Sequence, residues 1–402
     1  MLNAVMYGAG NIGRGFIGAQ LSQSGYRVTF IDVAPELIRR LNAEGRYPLR
    51  LVTDGDYEDI EITNVDAVSG NDTDAAADCI ASADIVATAV GANALKYITP
   101  NITEGLRRRF QRTDAPLNIL LCENMPEVDI IMRNYIKELM TEEERAMFDL
   151  RVGLVETSIG RMVPMQTPEM SADNPLRVCV ERYGFLPVDK DAFKGDIPCI
   201  QKMIPYSPFG FYLKRKLFIH NMGHAVCAYL GLYIGDTYIY EAVNNADIII
   251  IAKNAMLESM EALCREYGVP ITDVLHHIDD LLLRFTNRAL GDTCERVGRD
   301  TERKLKPSDR LIGAAKLCVS NGVSPVHISI AAAAAVYRHL LENAQRQTAE
   351  NAQALLSEIS EAPDEIIAII MRFYEQLRNG TTPARLRKIA LDLRKEALTD
   401  VV

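Results

Sequence analysis

The feature that most restricts the fold is a glycine loop between a strand pattern and a helix pattern at the start of the chain. The apolar run Ala4–Tyr7 is followed by Gly8-Ala9-Gly10-Asn11-Ile12-Gly13, and a helical pattern runs on from Ile12 to Ser24. GxGxxG alone is a weak signal, but here it ends a strand, opens a helix and sits in a βαβ unit of about thirty residues, the context the motif needs. Gly8 permits the tight turn, Gly10 lets a pyrophosphate approach the backbone, and Gly13 lets helix and strand pack closely. The free N–H groups and partial positive charge at the helix start suit phosphates, so Ala9, Asn11 and Ile12 join the glycines as candidate binding residues. Asp32 ends the second strand nineteen residues after Gly13. A carboxylate there accepts hydrogen bonds from ribose hydroxyls and repels a 2′-phosphate, and Val33 and Ala34 bring no arginine beside it, so the loop predicts NAD over NADP. A plain glycine turn with a surface aspartate, a methyltransferase and a flavin site remain as rival readings of this segment.

Further along, short β-branched runs alternate with helical patterns. Strands are expected at Arg27–Ile31, 84–89, 117–122 and 151–155, a helix at Pro35–Glu44, a polar hairpin-like insert at 47–65, and a possible extension of the sheet at 176–181. Such alternation predicts a parallel sheet with crossover helices. Pro187, Gly195, Pro198, Pro205, Pro208 and Gly210 punctuate a stretch without periodicity that reads as a connection. Beyond Phe211 the patterns are helical, with 342–358 readable as a helix or a partly mobile loop. The expected fold is α/β: a Rossmann-type domain with a mainly parallel sheet over residues 1–195, then an all-α domain over 205–402. The carboxyl ends of parallel strands face the ligand crevice, which makes Val90, Gly91 and Asn124 candidates for the cofactor and Asn124 a candidate beside the nicotinamide.

In the helical half, Lys216, Asn221 and His224 open a strong helical run. At roughly 100° per residue these three positions lie about 0°, 140° and 80° round an α-helix, so all can border one cleft. A partly desolvated lysine there can act as general base toward a hydroxyl, Asn221 can hold a developing alkoxide, and His224 can orient substrate or lysine. From spacing alone, a solvated lysine, a capping asparagine and a satisfied buried histidine fit equally well. Asn124 likewise reads as a turn residue before Pro126. The adjacent His276 and His277 cannot share a helical face and read as surface residues.

The quoted segments resemble the polyol-specific long-chain dehydrogenases, the mannitol dehydrogenase family. The resemblance is carried by the loop extended through Gly-Arg-Gly-Phe-Ile-Gly18, by Cys122-Glu-Asn124, by Lys216-Leu-Phe-Ile-His-Asn221-Met-Gly-His224, and by Arg284-Phe-Thr-Asn287, Gly291-Asp-Thr293, Glu295-Arg-Val-Gly-Arg299 and Ser308-Asp-Arg310. It spans residues 4 to about 313. It implies metal-independent hydride transfer, in which Lys216 takes the hydroxyl proton and returns it, Asn124 and Asn221 hold the oxygen, and His224 positions the substrate. Family members often carry an acid followed by an Asp-Arg pair where this chain has Glu156 and Gly160-Arg161, so the acid and the base are kept and the aspartate is not.

A net charge of −10 argues against nucleic acid or an anionic membrane as partner, so an anionic substrate needs a local basic patch. Residues 296–310 hold six Lys or Arg against three acids, with Glu295 just before them. Arg296, Arg299 and Arg303 share a face if the segment is one helix, and guanidinium groups suit a phosphate. A salt-bridged helix end fits as well. Glu156, Arg161 and these three arginines are thus the substrate or phosphate candidates. Eight cysteines are scattered singly with no CxxC, which supports neither a zinc site nor a redox pair and fits a reduced cytoplasmic protein. The chain starts directly on a strand pattern with no leader, and its apolar runs at 242–257 and 328–337 are interrupted or too short to span a membrane.

These features together predict an NAD-dependent enzyme that interconverts a sugar-alcohol phosphate and a ketose phosphate (mannitol 1-phosphate and fructose 6-phosphate), holds no metal, and is a monomer or weak homo-oligomer. The alternatives are oxidation of unphosphorylated mannitol, reduction of a hexuronate such as fructuronate or tagaturonate, and a non-catalytic NAD-binding sensor.

Overall fold

A computed structural model describes residues 1–399 apart from Met165 and Ala172, so the last three positions of the expected second domain lie outside the described residues. The chain divides into two compact units, Met1–Gly210 and the remainder from Phe211.

In the first unit the strands are β1 (Leu2–Tyr7), β2 (Tyr26–Asp32), β3 (Arg46–Thr53), β4 (Asp56–Thr63), β5 (Val65–Ser69), β6 (Ile85–Thr88), β7 (Leu117–Leu121) and β8 (Val152–Glu156). Six of them form one sheet in the order β5-β2-β1-β6-β7-β8, every pairing parallel. Alternation along each strand sends successive side chains to opposite faces. Ala4 and Met6 of β1 join Val28 and Phe30 of β2 in one apolar cluster. Val5 and Tyr7 join Ile31, Val86 and Ile119 in the cluster on the other face. Burial on both faces is why these strands read as continuous apolar runs rather than alternating ones. The crossover helix Thr73–Ser82 starts on the Asp72 carboxylate, which accepts the Ala75 N–H. The helix Glu142–Arg151 starts on a reciprocal Thr141–Glu144 capping box. Strand order reverses direction between β1 and β6, the switch point where an open α/β sheet leaves a crevice at its carboxyl edge.

Three local expectations need correcting. β5 was not anticipated; the expected polar insert ended at Val65, where this short strand begins. The run 176–181 does not extend the main sheet. Its strand β9 (Val178–Glu181) pairs in parallel with β3, in a separate three-stranded sheet β4-β3-β9. Gly15 of the first helix explains the placement, because a Cβ there would lie 2.9 Å from Cγ1 of both Val178 and Val180. The proline-rich connection also carries β10 (Leu186–Asp189) and β11 (Met203–Tyr206), which pair in parallel.

The second unit is helical throughout the described residues. Gly210–Ile234 runs as one helix of 25 residues, apolar and long enough by composition to cross a membrane, with 67% of its apolar window buried as in a core helix. It packs on Ala246–Tyr267 and Val326–Glu342, and the latter on Asp364–Arg378. Buried Glu258 on the second of these helices accepts the His327 and Ile328 N–H groups at 3.0–3.1 Å and His327 Nδ1 at 2.7 Å. It thereby satisfies the first turn of Val326–Glu342, where no side chain of that helix caps the start. The ambiguous polar run contains a helix, Ala349–Ile359, begun by the Thr348 hydroxyl on the Asn351 N–H.

Candidate active site

The glycine loop is closed by contacts that tolerate no side chain. Gly8 has φ +99°, and a Cβ on it would lie 2.5 Å from the Ala89 carbonyl oxygen, so β1 and β6 end pressed together. A Cβ on Gly13 would lie 1.9 Å from the Gly8 oxygen. Gly10, by contrast, has open space around it, and Ile12 at the head of the helix supplies no side-chain cap. Exposed Gly10 and Asn11 and uncapped leading N–H groups leave a concave, donor-rich turn, which fits a pyrophosphate. Asp32 does more than terminate β2: its carboxylate accepts the N–H groups of Ala9 at 2.7 Å, Val33 at 2.8 Å and Ala34 at 3.0 Å. Oδ1 takes two of these and Oδ2 one, leaving acceptor capacity for a ribose hydroxyl chiefly on Oδ2. Behind the loop the buried Arg14 Nε donates to the Ala9 carbonyl at 2.7 Å, and Tyr47, fully buried, donates to the Arg14 carbonyl at 2.6 Å.

Val90 and Gly91 follow β6 on the same crevice. Both their N–H groups point at one buried carboxylate: Glu123 accepts Val90 at 3.0 Å and Gly91 at 2.8 Å. Glu123 was passed over in the sequence because an acid after a strand looks like a surface turn residue. Asn124, next to it, is exposed. Glu156 ends β8, half-buried, and its pKa is pushed up to about 7 by burial and by Asp129, with smaller contributions from Asp189 and Glu127. A carboxyl group in such acidic company repels a phosphate. Arg161 donates to the Tyr183 carbonyl at 2.5 Å and the Gly15 carbonyl at 2.9 Å, and its guanidinium lies 5.1 Å from the Phe16 ring centre. These contacts tie it to the first helix, and the phosphate role expected of this pair has no support in them.

In the second unit the surprise is helical pitch. Lys216–Asn221 forms a π-helical turn inside the long helix. An i→i+5 ladder widens the turn beyond the α-helical one, so Asn221 lies nearer to Lys216 round the axis than the about 140° an α-helix would set. The turn thus brings the asparagine closer to the lysine's side of the helix. Such insertions are frequent at functional sites. Burial pulls the Lys216 pKa down to about 8, and the nearby Arg310 charge adds to the effect. His224 Nε2 lies 3.1 Å from Asp292 Oδ2, and its ring stacks on Phe285 with centroids 4.7 Å apart and planes 13° apart. The aspartate contact assigns the Nε2 proton and leaves Nδ1 for another partner. Burial raises the Asp292 pKa, but hydrogen bonds and charge from His224 and Arg296 bring it below the usual carboxylate value. Buried His220 is held neutral first by desolvation and then by Arg284 and its other cationic neighbours. His277 is half-buried, not a surface residue, and its pKa is likewise pulled well down by burial. Asp292 was quoted as part of a motif without a role; nothing in its spacing told that it would meet His224.

The basic segment is not one helix. It breaks between the short helices Cys294–Gly298 and Thr301–Lys304, with Arg299 extended and Asp300 in the left-handed region at φ 59°. Arg296, Arg299 and Arg303 therefore do not share a helical face. Arg296 is spent on Asp292, with Nε 2.8 Å from Oδ1, Arg303 on Asp309 at 2.8 Å, and Arg299 is exposed. Lys304 is 3% exposed, and Arg310 holds Asp309 through Nε at 2.9 Å. Among the described residues no group of three or more His, Cys, Asp or Glu is placed to hold a metal ion.

A parallel-sheet dinucleotide unit followed by a helical unit with a desolvated lysine defines a two-domain dehydrogenase. The chain belongs to the mannitol dehydrogenase family: the mannitol dehydrogenase Rossmann domain matches residues 2–202 and the mannitol dehydrogenase C-terminal domain residues 210–386. It is 36% identical over 342 residues, 85% of this chain and 87% of the other, to the mannitol-1-phosphate 5-dehydrogenase of Brevibacillus brevis. Two solved structures share its fold. Pseudomonas fluorescens mannitol 2-dehydrogenase, in a ternary complex with NAD and D-mannitol, has a TM-score of 0.73 at 16% identity, covering 97% of this chain and 94% of that one. A substrate-free D-sorbitol dehydrogenase has a TM-score of 0.81 at 13% identity, covering 95% and 94%.

Proposed function

We propose that this protein is an NAD-dependent oxidoreductase that interconverts mannitol 1-phosphate and fructose 6-phosphate, with Lys216 as general base in oxidation and general acid in reduction. The observation that carries the reading is a desolvated lysine whose pKa lies near 8, on a π-turn that brings Asn221 nearer its side of the helix. A lysine near neutrality exchanges a proton with a substrate hydroxyl in either direction. Asn221 donates to the oxygen as charge develops, which favours the transition state over the bound alcohol. His224, oriented by Asp292, offers Nδ1 to a neighbouring substrate hydroxyl. Glu156, at the carboxyl edge of the sheet, suits sugar hydroxyls better than a phosphate.

NAD, when bound, supplies the hydride acceptor. Gly8, Gly10 and Gly13 with the N–H groups of Asn11 and Ile12 would hold its pyrophosphate, Asp32, which keeps the Ala9 N–H, a ribose hydroxyl, and Val90 and Gly91 the far side of the crevice. Membership in the family at 36% identity to a mannitol-1-phosphate 5-dehydrogenase supports the choice of substrate. The same reading makes the protein a cytoplasmic monomer or weak homo-oligomer that engages neither nucleic acid nor membrane.

Initial rates of NADH oxidation with fructose 6-phosphate, fructose, fructuronate and tagaturonate test the assignment. Fructose 6-phosphate should give the highest kcat/KM, and turnover only with an unphosphorylated sugar would replace it. Lys216→Ala should abolish turnover while NADH binding stays nearly unchanged. A non-catalytic NAD sensor predicts no turnover with any of the four.

A further inference from the structure

The glycine loop runs on into Gly13-Arg14-Gly15, and its arginine is sealed inside the first unit at 8% exposure. Desolvating a guanidinium is costly unless its N–H groups are matched. Among the described residues Arg14 forms no ion pair; its side chain donates to backbone carbonyls instead. Nε takes Ala9 at 2.7 Å, and a terminal nitrogen takes Leu176, 162 positions along the chain. Only a fork of donors spans two such acceptors, which a lysine with its single nitrogen does not provide.

These contacts decide which way one peptide of the loop faces. Ala9 is held at both ends, its N–H on Asp32 Oδ2 at 2.7 Å and its carbonyl on Arg14 Nε. In a planar trans peptide the C=O and the N–H point in opposite directions, and the one cis bond among the described residues is Ser207–Pro208. An Ala9 carbonyl drawn toward buried Arg14 therefore turns the Gly10 N–H, the other half of the same peptide, away from the core. That N–H has no acceptor among the described residues, and the space over Gly10 is open. The Gly10 carbonyl accepts the Arg14 backbone N–H at 2.9 Å, so Arg14 holds the carbonyls on both sides of the exposed donor. Arg14 is braced in turn by the small sheet β4-β3-β9. Fully buried Tyr47 of β3 donates to the Arg14 carbonyl at 2.6 Å, Leu176 lies just ahead of β9, and Val178 and Val180 of β9 close on Gly15.

We infer that Arg14 is a positioning residue for the cofactor: from behind the glycine loop it aims the Gly10 N–H at the pyrophosphate of NAD, and the small sheet holds it in place. This rests on the proposed seat of the pyrophosphate at that loop. Arg14 acts through the Ala9–Gly10 peptide and not by touching the phosphates. Without the Nε bond the peptide is free to rotate, and the cost of ordering it falls on binding. Adenosine carries no pyrophosphate, so its binding, held at Asp32, is indifferent to the orientation of that peptide.

Two variants separate the donor from the charge. Arg14→Met keeps a long side chain and removes every donor, whereas Arg14→Gln places an amide N–H where Nε stands and removes the charge and the reach to Leu176. Affinity for NADH is read by fluorescence titration, and that for ADP and adenosine by competition against NADH. In Arg14→Met, NADH and ADP should each bind roughly 10-fold more weakly, the worth of one charge-assisted hydrogen bond, while adenosine stays within about twofold of the parent. Arg14→Gln should recover most of that loss. Parent affinities in Arg14→Met would overturn the inference. So would an equal loss for adenosine and ADP, which makes Arg14 a support of the whole domain, or an equal loss in both variants, which assigns its effect to charge. Should Arg14→Met not fold, Tyr47→Phe removes only the hydroxyl on the Arg14 carbonyl and should weaken ADP about threefold with adenosine unchanged; unchanged ADP affinity there overturns the inference as well. A parent protein that binds ADP no better than adenosine would instead remove the proposed seat of the pyrophosphate, whatever the variants do.

Discussion

Raising the pH from about 6.5 to about 9.5 should carry Lys216 through its titration, and the two directions of the reaction should respond in opposite ways. An unperturbed lysine, with a pKa of about 10.4, is deprotonated in only about 0.04% of molecules at pH 7. Desolvation and Arg310 bring Lys216 to about 8, where about 10% carries the free amine at the same pH. The fold therefore raises the population of competent base roughly 200-fold before any positioning effect is counted. In oxidation of mannitol 1-phosphate by NAD, kcat/KM should rise about tenfold per unit below pH 8 and level off above it. In reduction of fructose 6-phosphate by NADH, which needs the ammonium, kcat/KM should be level below pH 8 and fall above it. Substrate ionisation adds little, since the second phosphate pKa is about 6. Because Arg310 contributes to the depression, Arg310→Gln should move both inflections upward. An oxidative limb centred near 10, or one that survives in the residual activity of Lys216→Ala, would remove the lysine from the proton transfer.

Three further outcomes follow from the contacts. Asp32→Ala should weaken NAD at least about tenfold, through lost ribose contacts and a loosened Ala9 N–H, and should relax discrimination against NADP; a parent enzyme that uses both cofactors equally well contradicts the reading. Glu123→Ala strands the Val90 and Gly91 N–H groups and should raise the Kd for NADH about tenfold with kcat at saturating cofactor little changed, as read by fluorescence titration and steady-state rates. Glu258→Ala leaves the His327 and Ile328 N–H groups and the His327 ring unmatched in the core, at a cost of about 3 kcal/mol or more. For a unit of this size that is a fall in Tm of roughly 6–12 °C, measurable by circular dichroism, and a fall of a degree or less would assign the carboxylate no stabilising role.

The parts of the molecule legible in the sequence are those where local chemistry and global fold agree. The glycine loop is one: Gly8, Gly13 and Gly18 each stand where a Cβ would strike Ala89, Gly8 or Phe30, so the spacing is itself a record of the packing. The helix Pro35–Glu44 is another, with proline at its first turn and Gly45 at φ 62° after its end, both readable as boundary signals. β5 and β9 were harder because their pairing is set by partners far along the chain. Val178 is aligned with Leu49 across 129 positions, and no local pattern announces which sheet a short apolar run will join.

The catalytic half was legible in its residue types and not in its geometry. The Lys-x4-Asn spacing gives an awkward separation of about 140° on an α-helix, and the structure narrows it by changing the helix: the wider π-turn brings Asn221 nearer the lysine's side. The basic segment fails for the complementary reason. Seven-residue spacing from Arg296 to Arg303 promises a shared face only while the helix continues, and it stops at Arg299. Once it stops, each arginine is free to find the nearest carboxylate, and Arg296 and Arg303 do so. Charge counting along the sequence cannot separate a cation that has been neutralised from one that has not, because neutralisation depends on which loop ends meet.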